Sequence, residues 1–259
     1  MPTLVITGGS SGIGLAAAQL FAQKGWQVFE LSRSGQSTPS VTHITCDVTS
    51  PDQTQAAIRS VLTHTDHIDL LIANAGFGIS GAIEFTSPED AHRQFEVNFF
   101  GVLNIVQAVL PSMREQKAGR IIFTSSVAAV LSIPYQSFYS ASKAAVNALA
   151  LALQNEVRAY NIHVSVLMPG DVATGFTAAR HKSEAGSEAY GRIHSAVAAM
   201  ERDEQSGMTP LHMARLLYRI ATRRHPAPQY VGGFQYRLFC LLDRLLPKRL
   251  VNWIVGQLY

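Results

Sequence analysis

The chain is poor in cysteine, in charge and in long apolar runs. Its 259 residues include two cysteines, Cys46 and Cys240, far apart in sequence. That spacing argues against a disulfide framework and fits a reduced, cytoplasmic setting. Charged residues make up 15% of the chain, and the formal net charge is +3. No stripe of lysine and arginine marks a nucleic-acid surface, so no nucleic-acid partner is expected. No uncharged apolar run reaches the roughly 18 residues of a membrane-spanning helix. The opening MPTLVITGG lacks the basic region and cleavage site of a signal peptide, so no secretory leader is expected. Nine histidines are present. His64 and His67 lie close together but have no third ligand at helical or hairpin spacing, so no metal site is expected. AHRQFE, RRHPAP, Glu84 and Asp90 read as solvated surface, with Asp90 favoured by a helix N-terminus.

What is present is an alternation of apolar strands and helical patterns. TLVITGG (3–9), WQVFELS (26–32), VTHITCDV (41–48), HIDLLIANAG (67–76), RIIFTSS (120–126) and HVSVLMPG (163–170) read as strands. Helices are expected over 12–25, from 50 onward, over 87–113 and over 137–159. Near-continuous apolar strands separated by helices predict an α/β fold. The expected form is a single Rossmann-type doubly wound parallel sheet of about seven strands with helices on both faces. The division is a catalytic domain over 1–233 and an amphipathic extension over 234–259.

TGGSSGIG (7–14) lies between the first strand and the first helix. Gly8, Gly12 and Gly14 would allow a tight turn and close approach of backbone to a pyrophosphate, which the helix N-terminus attracts. The second strand ends in ELSRSG, with Ser32 and Arg33 at its tip and Glu30 two residues earlier. A neutral residue followed by a guanidinium suits a ribose 2′-phosphate. NADP(H) is therefore expected over NAD(H).

SFYSASKAAV (137–146) places Tyr139 four residues before Lys143 among Ser and Ala. On a helix such residues share a face. A nearby ammonium would lower the phenol pKa and make it a usable acid or base. The small neighbours leave room for a flat nicotinamide. Alone, the pair would read as an ordinary surface contact. Ser125 and Ser126 at the carboxyl end of the fifth strand remove that ambiguity, because open α/β sheets bind ligands there.

With these pieces assembled, the chain resembles the short-chain dehydrogenase/reductase family, and within it the steroid- and lipid-directed members that use NADP(H). The matching segments are TGGSSGIG, CDV (46–48), ANAG (73–76), VNFFG (97–101), TSS (124–126), YSASK (139–143) and PGDVAT (169–174), in family order. The resemblance implies Tyr139 as proton donor and acceptor, with Lys143 lowering its pKa and holding the nicotinamide ribose. Ser126 would hydrogen-bond the carbonyl, Ser125 being the less favoured neighbour, and Asn98 would kink its helix and hold a water that relays protons. It places Ser10, Ser11 and Ile13 with the glycines of the phosphate loop. Asp47 and Val48 would meet the adenine, Asn74, Ala75 and Gly76 the adenosine ribose, and Pro169, Gly170, Val172 and Thr174 the nicotinamide. Ala73 departs from the family, which commonly has asparagine there.

The reaction implied is hydride transfer between NADP(H) and a ketone or aldehyde, or its alcohol. Rival readings are a ketoacyl-type reductase of fatty-acid metabolism and a non-catalytic NADP(H)-binding redox sensor. A loop over 175–208 would close on the substrate. Phe176, Tyr190, Ile193, Val197 and Met200 would form an apolar stripe, with Leu131, Ile133 and Tyr135 as a second wall. A hydrophobic steroid, retinoid or acyl lipid is the expected substrate. A homodimer or homotetramer is expected. Pro247 splits the tail into two helices with leucine-rich stripes and basic residues between them. It suits a substrate lid or subunit contact, the first expectation, and also a peripheral membrane contact.

Overall fold

The computed structural model describes residues 1–259. Its strands are β1 (Thr3–Thr7), β2 (Gln27–Ser32), β3 (Thr42–Thr45), β4 (Leu70–Ala73), β5 (Ile79–Ser80), β6 (Gly119–Thr124), β7 (Ile162–Pro169), β8 (His181–Lys182) and β9 (Gln229–Gly232). Its helices are α1 (Gly12–Gln23), α2 (Pro51–Leu62), α3 (Pro88–Phe95), α4 (Gly101–Glu115), α5 (Ser137–Glu156), α6 (Phe176–Ala179), α7 (Ile193–Gln205), α8 (Pro210–Thr222), α9 (Phe234–Leu245) and α10 (Lys248–Leu258). Seven strands form a sheet in the order β3-β2-β1-β4-β6-β7-β9, and every pairing is parallel. The chain changes direction across the sheet between β1 and β4, which opens a ligand crevice beyond their carboxyl ends.

Alternation along the strands divides the core into two layers. Val5, Leu71, Phe123 and Val166 face a cluster completed by α2, α4 and α5, including Ile58, Ile105 and Val146. Leu4, Ile6, Leu70, Ile72 and Leu167 face the other, completed by Phe21 of α1 and Leu217 of α8. Successive residues of a strand point to opposite faces, so a strand covered on both must be apolar throughout. Ala73 belongs to the first cluster and is buried.

The helix starts follow their local chemistry. Ser50 Oγ accepts from Gln53 N, Ser87 Oγ from Asp90 N and Thr209 Oγ1 from His212 N, and each helix has proline at its first position. The helix expected over 87–113 is interrupted. Residues Glu96–Phe100 form one π turn between α3 and α4. The long helical stretch Pro88–Glu115 is apolar enough to cross a membrane by composition. Val102, Ile105, Val109 and Met113 are instead buried against the sheet. The expected apolar stripe of the loop holds in part. Ile193, Val197 and Met200 are buried, but Tyr190 is exposed and donates its hydroxyl to Glu84 Oε2 at 2.8 Å.

Candidate active site

The phosphate loop is built by backbone geometry. Gly8 and Gly12 have φ of 66° and 52°, the left-handed region that glycine adopts without strain. Gly14 lies against the loop's own backbone, where an added Cβ would come within 2.1 Å of Gly8 O. Asn74 Nδ2 donates to Thr7 O at 3.2 Å and to Gly8 O at 3.3 Å, tying the tip of β4 to the loop. Ser11 caps α1 without a side-chain hydrogen bond, leaving its hydroxyl and the helix N–H groups for a ligand. This cradle fits a dinucleotide pyrophosphate.

The tip of β2 presents Ser32 and exposed Arg33. Glu30 turns elsewhere. It is buried, and its Oε2 lies 2.6 Å from His43 Nδ1. The acid nearest the ribose position is thus committed to an internal pair. Asp47 Oδ1 accepts from Thr49 N at 3.0 Å and Thr49 Oγ1 at 2.8 Å, which orients its carboxylate.

Tyr139 and Lys143 lie one turn apart on α5. Lys143 is buried, and Nζ donates to Thr124 O at 2.9 Å. Ser125 Oγ donates to Lys143 O at 3.1 Å. Ser125 therefore braces α5 against β6. Ser126 Oγ, accepting from Ala128 N at 3.1 Å, faces Tyr139. Asn98 sits in the π turn. Its Oδ1 accepts from Phe77 N, and its Nδ2 donates to Phe77 O, both at 3.0 Å. A Cβ on Gly76 would lie 3.1 Å from Asn98 Oδ1 and 3.3 Å from Lys143 Nζ. The missing side chain of Gly76 is what lets these two groups approach one small space.

The expected lowering of the Tyr139 pKa is outweighed by burial. Burial pushes the phenol up to about 12, with Glu204 and Asp171 raising it further and the Ser126 hydroxyl and Arg180 drawing it down. Burial also brings Lys143 down to about 8. The ammonium is aimed at Thr124 O and lies 5.9 Å from the centre of the phenol ring. Tyr139 is consequently a protonated phenol throughout the neutral range.

A cavity of about 870 Å³ joins these parts. It is lined by the phosphate loop, Arg33, Asp47, Ser126, Tyr139, Lys143 and the segment 169–174. Every expected cofactor residue borders it except Gly14, which packs behind the loop, and Asn98 reaches it only through Gly76 and Lys143. Phe176, Ile133 and Met200 form an apolar wall.

Sequence reasoning missed the brace of that wall. The Arg180 guanidinium is buried and pairs with Glu204, while Thr177 Oγ1 donates to the same carboxylate at 2.6 Å. This locks α6 to α7 and holds the Phe176 ring 5.6 Å from the Tyr139 ring. The partners lie 24 residues apart, and no local pattern announces a pair at that distance. Also missed were Tyr236, whose hydroxyl donates to Asp171 Oδ2 at 2.5 Å, and the terminal Tyr259, which lines the cavity.

The profile of the short chain dehydrogenase family matches residues 2–185. The chain belongs to that family. A family member from Bacteroides thetaiotaomicron named 3-ketodihydrosphingosine reductase is 35% identical over 99% of this chain and 97% of its own. A short-chain dehydrogenase from Streptomyces avermitilis superposes with a TM-score of 0.85 at 26% identity, covering 99% of this chain and 97% of that one. Another, from Burkholderia phymatum and solved in complex with NAD, gives 0.79 at 27% identity over 94% of each chain. Family membership makes this protein an oxidoreductase of the short-chain type with a nicotinamide dinucleotide site.

Proposed function

We propose that the protein is an NADP(H)-dependent reductase of a long-chain, apolar ketone. The carrying observation is the single cavity that joins the phosphate loop and Arg33 to Ser126, Tyr139 and an apolar wall. The similarity to a 3-ketodihydrosphingosine reductase along nearly the whole chain supports a keto lipid as the substrate class.

When bound, the cofactor supplies the hydride. The protein's own residues do the rest. Ser126 and Tyr139 present two hydroxyls to the carbonyl oxygen, and Tyr139 supplies its proton. Tyr139 carries its proton at neutral pH and can donate it to the developing alkoxide. Lys143 and Asn98 converge beside Gly76, where they can return a proton through water. Phe176 and Ile133 exclude solvent and hold the alkyl part of the substrate. A redox sensor would have no use for the Ser126, Tyr139 and Lys143 set.

The NADP(H) preference rests on Arg33, with Glu30 turned inward to His43. Arg33→Ala is expected to weaken NADPH binding and leave NADH nearly unchanged. A charge-assisted hydrogen bond contributes about 1.5 to 3 kcal/mol, so the loss is roughly tenfold to a hundredfold. Titrating both cofactors against wild type and variant checks this. Equal wild-type affinities for NADPH and NADH would refute the reading of the β2 tip.

A further inference from the structure

The tail shows its apolar side to the outside. Along α9, Phe234, Leu238, Leu241, Leu242 and Leu245 follow helical spacing and are all exposed. Such a stripe ordinarily turns toward a core. Here the inward side of α9 carries Tyr236 and Asp243. On α10, Leu250, Trp253, Ile254 and Leu258 are likewise exposed, and Val255 is the buried residue. Leu245 is 71% exposed and Trp253 62%.

The orientation is held from within. The Tyr236 hydroxyl is bound to Asp171, Arg192 Nη1 donates to Gly256 O at 3.0 Å, and Lys248 Nζ donates to Asp243 at 2.6 Å. The charge of the molecule is concentrated in the same segment. Residues 234–259 contain four basic residues and one acid, leaving seventeen of each sign in the rest of the chain. The whole net charge of +3 therefore belongs to the tail. Arg237, Arg244, Lys248 and Arg249 are exposed beside the apolar stripes.

We infer that α9 and α10 form a docking face for the surface of an anionic phospholipid bilayer. Aromatic and leucine side chains enter the boundary between headgroups and acyl chains, and the arginines meet the lipid phosphates. The charge decides for lipid over a second copy of the chain, because a two-fold contact would set this cationic rim against itself. Tyr259, the last residue of the tail, lines the cavity that holds Tyr139. Docking would therefore bring the catalytic cavity to the surface in which an apolar ketone dissolves.

The test is co-sedimentation of the full chain with phosphatidylcholine vesicles, with and without phosphatidylglycerol. Binding is expected with the anionic vesicles, reduced by high salt. Leu245→Ser combined with Trp253→Ser is expected to lower the bound fraction by about tenfold, since both side chains would otherwise enter the interface. Arg244→Gln combined with Arg249→Gln should remove the preference for anionic vesicles. Turnover of a small water-soluble ketone should stay at the wild-type rate in every variant, which shows that they fold. The inference fails if the wild-type chain stays in the supernatant. It fails equally if light scattering shows a dimer that the Leu245→Ser/Trp253→Ser variant dissociates while vesicle binding is absent.

Discussion

Tyr139→Phe is expected to abolish turnover while NADPH still binds. The ring keeps its packing against Phe176, 5.6 Å between centroids, and only the proton donor is lost. Removing a positioned general acid costs about 10² to 10⁴ in rate. A phenol is protonated at neutral pH, and burial pushes this one further up, to about 12, so the loss should be nearly the same across the neutral range. Stopped-flow turnover alongside a cofactor-binding titration separates the two effects. A variant within threefold of wild type would remove Tyr139 from the chemistry.

Lys143→Met is expected to lose turnover and to gain stability. The ammonium is buried, and desolvation alone brings its pKa from 10.5 to about 8. The sign comes from linkage. Below pH 8 both folded and unfolded chains carry the proton, and the folded state bears the full cost of burying it. Between 8 and 10.5 the folded state releases the proton first, so wild-type stability rises with pH and the advantage of the variant fades. At neutral pH that cost is about 3 kcal/mol. Loss of the charge-assisted bond to Thr124 O offsets about 1.5 to 3 kcal/mol of it. The net gain is therefore at most about 1.5 kcal/mol, which corresponds to a Tm up to roughly 3 to 6 °C higher. Thermal unfolding at pH 7 and again near 10.5 checks both the size and the disappearance of the effect. A variant less stable than wild type at pH 7 would contradict a buried, strained ammonium.

Much of the fold and site was legible in the residues, and the failures have physical causes. β1, β2, β4, β6 and β7 are centred on apolar runs, and their continuity signals a sheet covered on both faces. β9 escapes that test because QYVG, after a proline-rich stretch, carries no apolar run. Its pairing with β7, not its composition, makes it a strand. α8 is announced in the sequence by Thr209 as cap and Pro210 at the first helical position. A kink at Asn98 was implied by the resemblance; that it takes the form of a π turn at Glu96–Phe100, with Asn98 bonded to both backbone groups of Phe77, was not readable, because those bonds are tertiary. Tyr139 and Lys143 were readable as neighbours on one helix face, but not their titration. The Tyr139 value depends on burial, on the Ser126 hydroxyl and on Glu204, Arg180 and Asp171 from distant segments, and that of Lys143 on burial alone. The roles of Ser125 and Ser126 separated only once Ser125 was found bonded to the backbone of Lys143.

Gly233, at φ 95°, lies between β9 and α9, where the extension begins. Yet Tyr236 belongs to the main core cluster and packs on Gly170. The first turn of the extension is part of the body that shapes the nicotinamide segment. Phe234, the later turns of α9 and the helix α10 face outward and are free to serve a surface.

The most direct test of the proposed activity is a comparison of cofactor oxidation with 3-ketodihydrosphingosine dispersed in mixed micelles, using NADPH and NADH in parallel. The expected result is steady NADPH oxidation that depends on Tyr139, with NADH at least about tenfold less effective. Oxidation of NADPH no faster in wild type than in Tyr139→Phe, for this ketone and for shorter apolar ketones alike, would contradict it.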